Sequence, residues 1–370
     1  MSWIIYGAYG YTGKLIAEEA ARRKLRPILA GRDASKVDSL AQRLELEART
    51  FSLDDYHAIV GQLQQCDIIL NCAGPFSKTA APLMEACLAA QTHYLDITGE
   101  LDVIEAAAAL DDRAKEAGVI LMPAVGFDVV PTDCLAAMLK EKLPSATQLQ
   151  LALAALTQVS RGTSRTMAEM LPAGGRVRRD GEIIRVPLAH KSQSVAFADR
   201  RRQTVTMPWG DVSSAYYSTG IENIEVYFAL PKWQIKWLMR LRGLLPLMGL
   251  WPISALLKSL ATPRETGPSV ESRSQSRAQL WGKVSDEAGC EVAATMTTPN
   301  GYSLTVDTAL AAVERILWNK SPDLFEKVQR TDKSGDLFHD LGFQTPSGAF
   351  GSEFVLQFDV AMQWVDSDDS

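Results

Sequence analysis

The feature that most constrains this chain lies in its first fifteen residues. Trp3-Ile4-Ile5-Tyr6 is an apolar, β-prone run that passes directly into Gly7-Ala8-Tyr9-Gly10-Tyr11-Thr12-Gly13, and a helical pattern begins at once behind it. Glycines three apart let the backbone turn tightly and come close to a ligand, and the helix start behind them offers free N–H groups in a positive field. Strand, glycine turn and helix in that order predict a pyrophosphate site for a dinucleotide, with Gly7, Tyr9, Gly10, Tyr11, Thr12 and Gly13 as its candidate residues. The spacing is GxxGxxG, so one glycine is displaced from the usual GxGxxG fingerprint.

The same alternation continues through the first third of the chain. Short apolar runs at 3–6, 27–30, 48–53, 67–71, 93–96 and 119–122 read as strands, separated by helical patterns at 12–23, 35–44, 55–63, 80–90 and 101–117. Parallel strands need such crossovers, so the expected fold class is α/β with a Rossmann-type doubly wound parallel sheet. After Pro131 the pattern changes to a helix at 132–142 and strands at 149–159, 182–186, 204–208, 223–229, 279–285 and 290–298, which predicts a second α+β domain. Helical character returns at 302–318 and 348–360. With 370 residues to place, we expect a nucleotide-binding domain at 1–131, a substrate or dimerisation domain at 132–300 with an apolar helical insertion near 232–260, and C-terminal helices at 301–370 packing back on the first domain.

Ligands of doubly wound sheets sit at the carboxyl ends of the strands, which directs attention to the loops there. The second strand ends in Gly31-Arg32-Asp33. An arginine at this place accommodates a ribose 2′-phosphate, whereas an acid bonds the free 2′-hydroxyl. Arg32 favours NADP, and Asp33 keeps NAD as the less favoured alternative unless it serves as a helix cap. The fourth strand closes with Asn71-Cys72-Ala73-Gly74-Pro75, whose small residues give Asn71, Ala73, Gly74 and Pro75 as further cofactor contacts. The fifth and sixth strands end near Asp96, Glu100 and Asp128, and carboxyls beside apolar cofactor surface are candidate proton donors. Each has a bland alternative as a cap or a loop tie. No tyrosine is followed by lysine four residues on, and the four histidines, His57, His93, His190 and His339, lack metal-ligand spacing, so we expect no catalytic metal.

A formal net charge of -6 gives no electrostatic footprint for nucleic acid. The five cysteines are scattered and odd in number, and no targeting pattern precedes Trp3, which together predict a reducing, cytoplasmic setting.

Taken in order, Gly7 to Gly13, Ala30-Gly31-Arg32, Asn71 to Phe76, Tyr94-Leu95-Asp96-Ile97-Thr98-Gly99-Glu100 and Gly126-Phe127-Asp128-Val129-Val130-Pro131-Thr132-Asp133 resemble the saccharopine dehydrogenase-like oxidoreductases. That family includes the trans-acting enoyl reductases of lipid and polyketide biosynthesis. Gly301-Tyr302 and Thr345-Pro346 before Ala349-Phe350-Gly351 resemble it more loosely. The resemblance implies an NADP-binding domain joined to an α/β domain used for substrate binding or dimerisation, but it does not fix the reaction.

The middle of the chain bears on the substrate. Residues 243–257 carry no charge, and upstream Trp233, Trp237, Leu238 and Leu241 alternate with Lys232, Lys236, Arg240 and Arg242. A buried or dimer-interface helix pair, a wall for a long apolar substrate, and peripheral membrane contact through 232–260 all fit this pattern. The basic residues between Arg176 and Arg202 fit either a solvated hairpin or contacts to the phosphates of an acyl carrier. The sequence therefore predicts an NAD(P)H-dependent oxidoreductase, expected as a homodimer, that reduces an apolar, carrier-linked enoyl or carbonyl substrate. A saccharopine-type amine dehydrogenase and a non-catalytic NADP-binding sensor or scaffold are the alternatives.

Overall fold

In the computed structural model, which describes residues 2–154, 174–241, 267–319 and 340–365, the first sheet is built around β1 (Trp3–Tyr6). On one side lie β2 (Ile28–Gly31) and β3 (Ala48–Thr50), and on the other β4 (Ile68–Asn71), β5 (His93–Asp96) and β6 (Ile120–Met122). Every pair is parallel. The order 3-2-1-4-5-6 is that of a doubly wound sheet, with its topological switch between β1 and β4, where a crevice opens at the strand ends.

The helices α1 (Tyr11–Arg22), α2 (Ala34–Leu44), α3 (Tyr56–Leu63), α4 (Phe76–Ala90), α5 (Leu101–Ala108) and α6 (Asp111–Ala117) form the crossovers. The helix expected over 101–117 is two helices, separated at Ala109 and Leu110. Alternation along β1 explains why both sheet faces are covered. Trp3 and Ile5 pack with Ile16, Val37 and Leu40 on one face, while Ile4 and Tyr6 pack with Ile59, Leu63 and Met84 on the other. Each such side chain stabilises the fold by about 1.5–3 kcal/mol when fully buried.

The chain then enters α7 (Val130–Lys142) and a mixed sheet: β7 (Gln148–Ala154), β8 (Gly175–Arg179), β9 (Glu182–Val186), β10 (Ser192–Ala196), β11 (Arg201–Thr206), β12 (Asn223–Ala229), β13 (Arg277–Ser285) and β14 (Glu291–Pro299). The strand order is β10-β11-β12-β7-β13-β14, with β8 joining β12 to β9, and only β7 and β12 run parallel. The expected strand at 149–159 is seen as far as Ala154, and its remainder lies outside the described residues. The basic segment 176–202 is not a single hairpin but runs through two, β8 with β9 and β10 with the start of β11. A helix that the sequence pattern does not mark is α8 (Asp211–Thr219), which packs with α7 over the sheet. Two further helices are α9 (Lys232–Leu241) and α10 (Val270–Gln275).

The C-terminal part serves both sheets. α11 (Gly301–Asn319) lays Val306, Leu310 and Val313 on the first face of the nucleotide-binding sheet, and Asp307 pairs with Arg23 of α1 at 2.5 Å. β15 (Gly342–Phe343) extends that sheet beside β6 as a seventh parallel strand. The expected helix at 348–360 is instead α12 (Pro346–Phe350) and a 3-10 turn (Ser352–Gln357), after which β16 (Ala361–Val365) pairs with β14 of the second sheet.

Candidate functional site

The glycine turn is shaped by contacts that exclude side chains. A Cβ on Gly7, whose φ is +78°, would stand 2.9 Å from the Ala73 nitrogen, and one on Gly13 would stand 2.4 Å from the Gly7 carbonyl oxygen. The Gly7 and Ala8 N–H groups donate to the Ala30 carbonyl at 2.8 and 3.1 Å, which ties the turn to the end of β2. Gly10 caps α1 without a side-chain hydrogen bond, so the first-turn N–H groups of Tyr11, Thr12 and Gly13 are left for an anionic ligand. This cradle suits a pyrophosphate lying across the switch point.

The side chains of the turn diverge. The Tyr9 ring lies against Gly31, where a Cβ would be 2.6 Å from Cε1, and Lys36 Nζ sits 5.5 Å from its centroid. Tyr11 is held by the second domain instead: its hydroxyl donates to the Pro268 carbonyl at 2.6 Å and accepts from Arg273 at 2.8 Å. Its side chain therefore ties the domains together, and only its backbone N–H remains for the cofactor. At the end of β2, Asp33 caps α2, accepting from Lys36 N at 3.2 Å and pairing with Lys36 Nζ at 2.6 Å. The acid is committed, and the exposed Arg32 beside it is the group open to a 2′-phosphate. A groove of about 380 Å³ between α1 and α2 lies on this adenosine side, with Lys14, Lys36 and Arg43 in its wall. Those cations face Glu18 and Asp33.

At the end of β4 the fully buried Asn71 accepts from Ala73 N at 3.0 Å and donates to Thr79 Oγ1 and Tyr94 Oη. Its amide shapes the Ala73-Gly74-Pro75 loop, so its contribution to a cofactor site is through that backbone.

The three candidate proton donors have different surroundings. Asp96 is fully buried and accepts from Tyr94 Oη at 2.7 Å, Thr98 N at 2.9 Å and Ala124 N at 2.8 Å, which links the loops after β5 and β6. Burial lifts its carboxyl to about 6 against the pull of those donors. Glu100 accepts from Phe76 N at 2.9 Å and Ser77 N at 2.8 Å, so both its oxygens cap α4. Asp128 is partly exposed, and among the described residues no donor reaches its carboxylate. It packs against Gly99, where a Cβ would be 2.9 Å from its own, and its backbone carbonyl accepts from Trp209 Nε1 at 2.5 Å. Burial alone raises its carboxyl to about 7. Of the three, Asp128 has the chemistry of a proton donor at neutral pH, while Asp96 and Glu100 have the geometry of structural acceptors.

Residues 3–122 match the family model of the saccharopine dehydrogenase NADP binding domain. The N-terminal domain belongs to that family. Among curated relatives, the "Probable mitochondrial saccharopine dehydrogenase-like oxidoreductase" of Arabidopsis thaliana is 34% identical over 150 residues, covering 35% of this chain and 32% of that protein. A trans-acting enoyl reductase of Mycobacterium bovis is 31% identical over 138 residues, covering 35% and 33%. The match spans about a third of the length of these relatives. In fold, apo saccharopine dehydrogenase (L-Glu forming) from Saccharomyces cerevisiae superposes with a TM-score of 0.62 at 12% identity, over 99% of this chain and 100% of that one. The doubly wound sheet with a second mixed-sheet domain is thus the saccharopine dehydrogenase fold.

Against this saccharopine dehydrogenase-type domain, the second domain brings α8 up to the Asp128 loop. A Cβ on Gly210 would stand 2.9 Å from Val129 and 3.2 Å from the Gly99 carbonyl. The next residue, Asp211, is fully buried, and no partner is in hydrogen-bond reach of either carboxylate oxygen. The nearby Thr132 hydroxyl, which donates to the Val129 carbonyl at 3.0 Å, pulls the Asp211 carboxyl down by less than burial lifts it. The start of a helix favours an anion by at most about 2 kcal/mol. Burying an unpaired carboxylate costs several kcal/mol, so burial wins and Asp211 is held well above the usual carboxylate range. Asp133 of α7 is also buried, but it accepts from Ser218 Oγ at 2.5 Å and Ser347 N at 2.8 Å.

Among the described residues no group of His, Cys, Asp and Glu is arranged to hold a metal ion, and no helix is long and apolar enough to cross a membrane. His339 and residues 243–257 lie outside the described residues. In the basic segment, Arg176 pairs with Asp102, Arg178 with Glu105, Arg179 with Glu225 and Arg202 with Asp199. α9 seats Ile235, Leu238 and Met239 on β11 while Trp233 and Trp237 stand 63% and 58% exposed.

Proposed function

We propose that this protein is an NADPH-dependent reductase of an apolar, carrier-linked enoyl or carbonyl substrate, working as a homodimer, with Asp128 as the proton donor. When bound, the reduced nicotinamide supplies the hydride. The residues of this chain do the rest. The glycine turn and the α1 N–H groups hold the pyrophosphate, and Arg32 takes the 2′-phosphate. Asp96 and Asn71 fix the loops over which the nicotinamide end lies. Asp128 gives its proton to the substrate atom made basic by hydride addition.

The observation that carries this reading is the contrast among the three carboxyls, of which only Asp128 has no hydrogen-bond donor among the described residues and is raised to about 7. An apolar substrate is supported by the committed cations: Arg176 and Arg178, which reach α5 from the second domain, are spent on Asp102 and Glu105. A substrate with several carboxylates needs free guanidinium groups there. The relatives named as enoyl reductases point the same way.

The test is loss of NADPH absorbance with a panel of acyl-carrier enoyl thioesters, ketones and imines, for the wild type and Asp128→Asn. We expect turnover with enoyl or carbonyl members and a loss of about a hundredfold or more in the variant. Turnover with imines alone, or an unaffected variant, would overturn the reading.

A further inference from the structure

Among the described residues, four buried side-chain oxygens have no hydrogen-bond partner: both carboxylate oxygens of Asp211, Ser214 Oγ and Ser347 Oγ. They do not scatter over the molecule. Asp211, Ser214 and Ser218 lie three and four residues apart, so they form one stripe along α8, about 10 Å long at 1.5 Å per residue. That stripe meets Asp133, to which Ser218 donates, and Ser347, whose backbone N–H donates to the same carboxylate. Ser218 also bonds Thr345 Oγ1 at 2.8 Å. One end of the stripe lies by Thr132, four residues after Asp128, and the Asp211 carboxyl feels the charge of both Asp128 and Asp133. The other end reaches half-buried Ser218 beside exposed Tyr217.

Orphaned polar atoms gathered in one place call for a common explanation. Buried water typically makes about three hydrogen bonds to groups of this kind. We propose that Asp211, Thr132, Ser214, Asp133, Ser218 and Ser347 line a hydrated proton relay that restores the proton of Asp128 from solvent while bound cofactor and substrate cover its exposed side, with Asp211 at its inner end. This rests on the reading of Asp128 as the donor. The transfers balance. Asp128 gives a proton to the substrate, its carboxylate takes one from the Asp211 carboxylic acid through the intervening hydroxyl or water, and Asp211 takes one along the stripe from solvent. Only O–H bonds form and break, and nothing is oxidised or reduced. Asp211 is a positioning residue in this scheme, since it acts through Asp128.

The other charged groups around α8 are set apart from the relay. Glu105 of α5 accepts from Ser213 Oγ at 2.6 Å and pairs with Arg178 of β8, on the neighbouring stripe of the helix. Arg178 in turn lies over the Tyr216 ring at 4.1 Å. Among the described residues, no basic side chain pairs with Asp211 or Asp133.

The experiment is infrared difference spectroscopy of the full chain without substrate at pH 7, comparing wild type with Asp211→Asn, first in water and then after transfer to deuterium oxide. We expect a carboxylic acid carbonyl band that the variant lacks and that shifts within seconds of the transfer. Ser214→Ala should retain the band and slow its shift by about tenfold, and this variant carries the test if Asp211→Asn does not fold. The absence of an acid band, or a band that stays unshifted for hours, would overturn the relay. So would an unslowed shift in Ser214→Ala. Because no substrate is present, this outcome is independent of the reductase assay, and failure of the assay with the band and its exchange intact would remove Asp128 as donor, not the hydrated stripe.

Discussion

Glu100, at the end of the loop after β5, accepts the backbone N–H of Phe76 at 2.9 Å and holds the first turn of α4 with its second oxygen on Ser77. A residue that looks catalytic by position is thereby a clamp between two strand-end loops. Asp96, at the end of β5 itself, repeats the pattern by tying Thr98 and Ala124 together. The crevice floor is thus set by carboxylates that accept from backbone, which leaves the chemistry to a group they do not engage.

Glu100→Ala removes two charge-assisted hydrogen bonds and leaves two N–H groups without an acceptor. We expect a loss of about 2 kcal/mol in urea unfolding. Glu100→Gln should recover part of it and retain turnover. A Glu100→Gln variant of normal stability with no hydride transfer would make Glu100 catalytic after all.

The sequence disclosed the first domain because its strands are buried on both faces. Trp3-Ile4-Ile5-Tyr6 and Ile68-Ile69-Leu70 are continuous apolar runs, and the glycine turn carries its own steric signature. The roles of the acids were not legible, because Glu100 becomes a cap only through the N–H groups of Phe76, which lies 24 residues away in sequence. α8 was missed for a related reason. Its buried face includes Asp211, Ser213, Ser214 and Thr219, so no apolar periodicity marks it. The polar face that hid the helix is the same face that carries the unpartnered oxygens.

Arg32 is exposed beside a committed Asp33, which fixes the direction of its effect on the cofactor. Arg32→Ala should weaken NADPH binding by about tenfold to a hundredfold, the range for losing charge-assisted hydrogen bonds to a phosphate. NADH binding should change little. Titration of reduced-cofactor fluorescence checks both numbers, and equal losses for the two cofactors would refute a 2′-phosphate contact.

Gly13→Ala places a methyl 2.4 Å from the Gly7 carbonyl oxygen, which is backbone and has no room to give. The turn must open, and the α1 N–H groups move from the pyrophosphate position. We expect loss of detectable NADPH binding. Gly61→Ala, in α3 with open space around its Cβ, serves as the control and should bind normally.

Asp128 sets the dependence on pH. Burial lifts its carboxyl from 3.8 to about 7, so the folded protein keeps a proton that the unfolded chain releases near the lower value. The sign for stability follows: this group's contribution is most favourable below the unfolded value and declines as pH rises from there through about 7. Asp96, lifted to about 6, acts in the same direction over a narrower range. Asp128→Asn should therefore be more stable than wild type at pH 8, by about 1–3 kcal/mol, and indistinguishable from it near pH 4. Turnover needs the protonated form and should fall by about tenfold per pH unit above the pKa. The two measurements must agree on one midpoint, because both report the same proton. A stability difference that vanishes at pH 8, or a turnover limb centred far from neutrality, would mean that a different group supplies the proton.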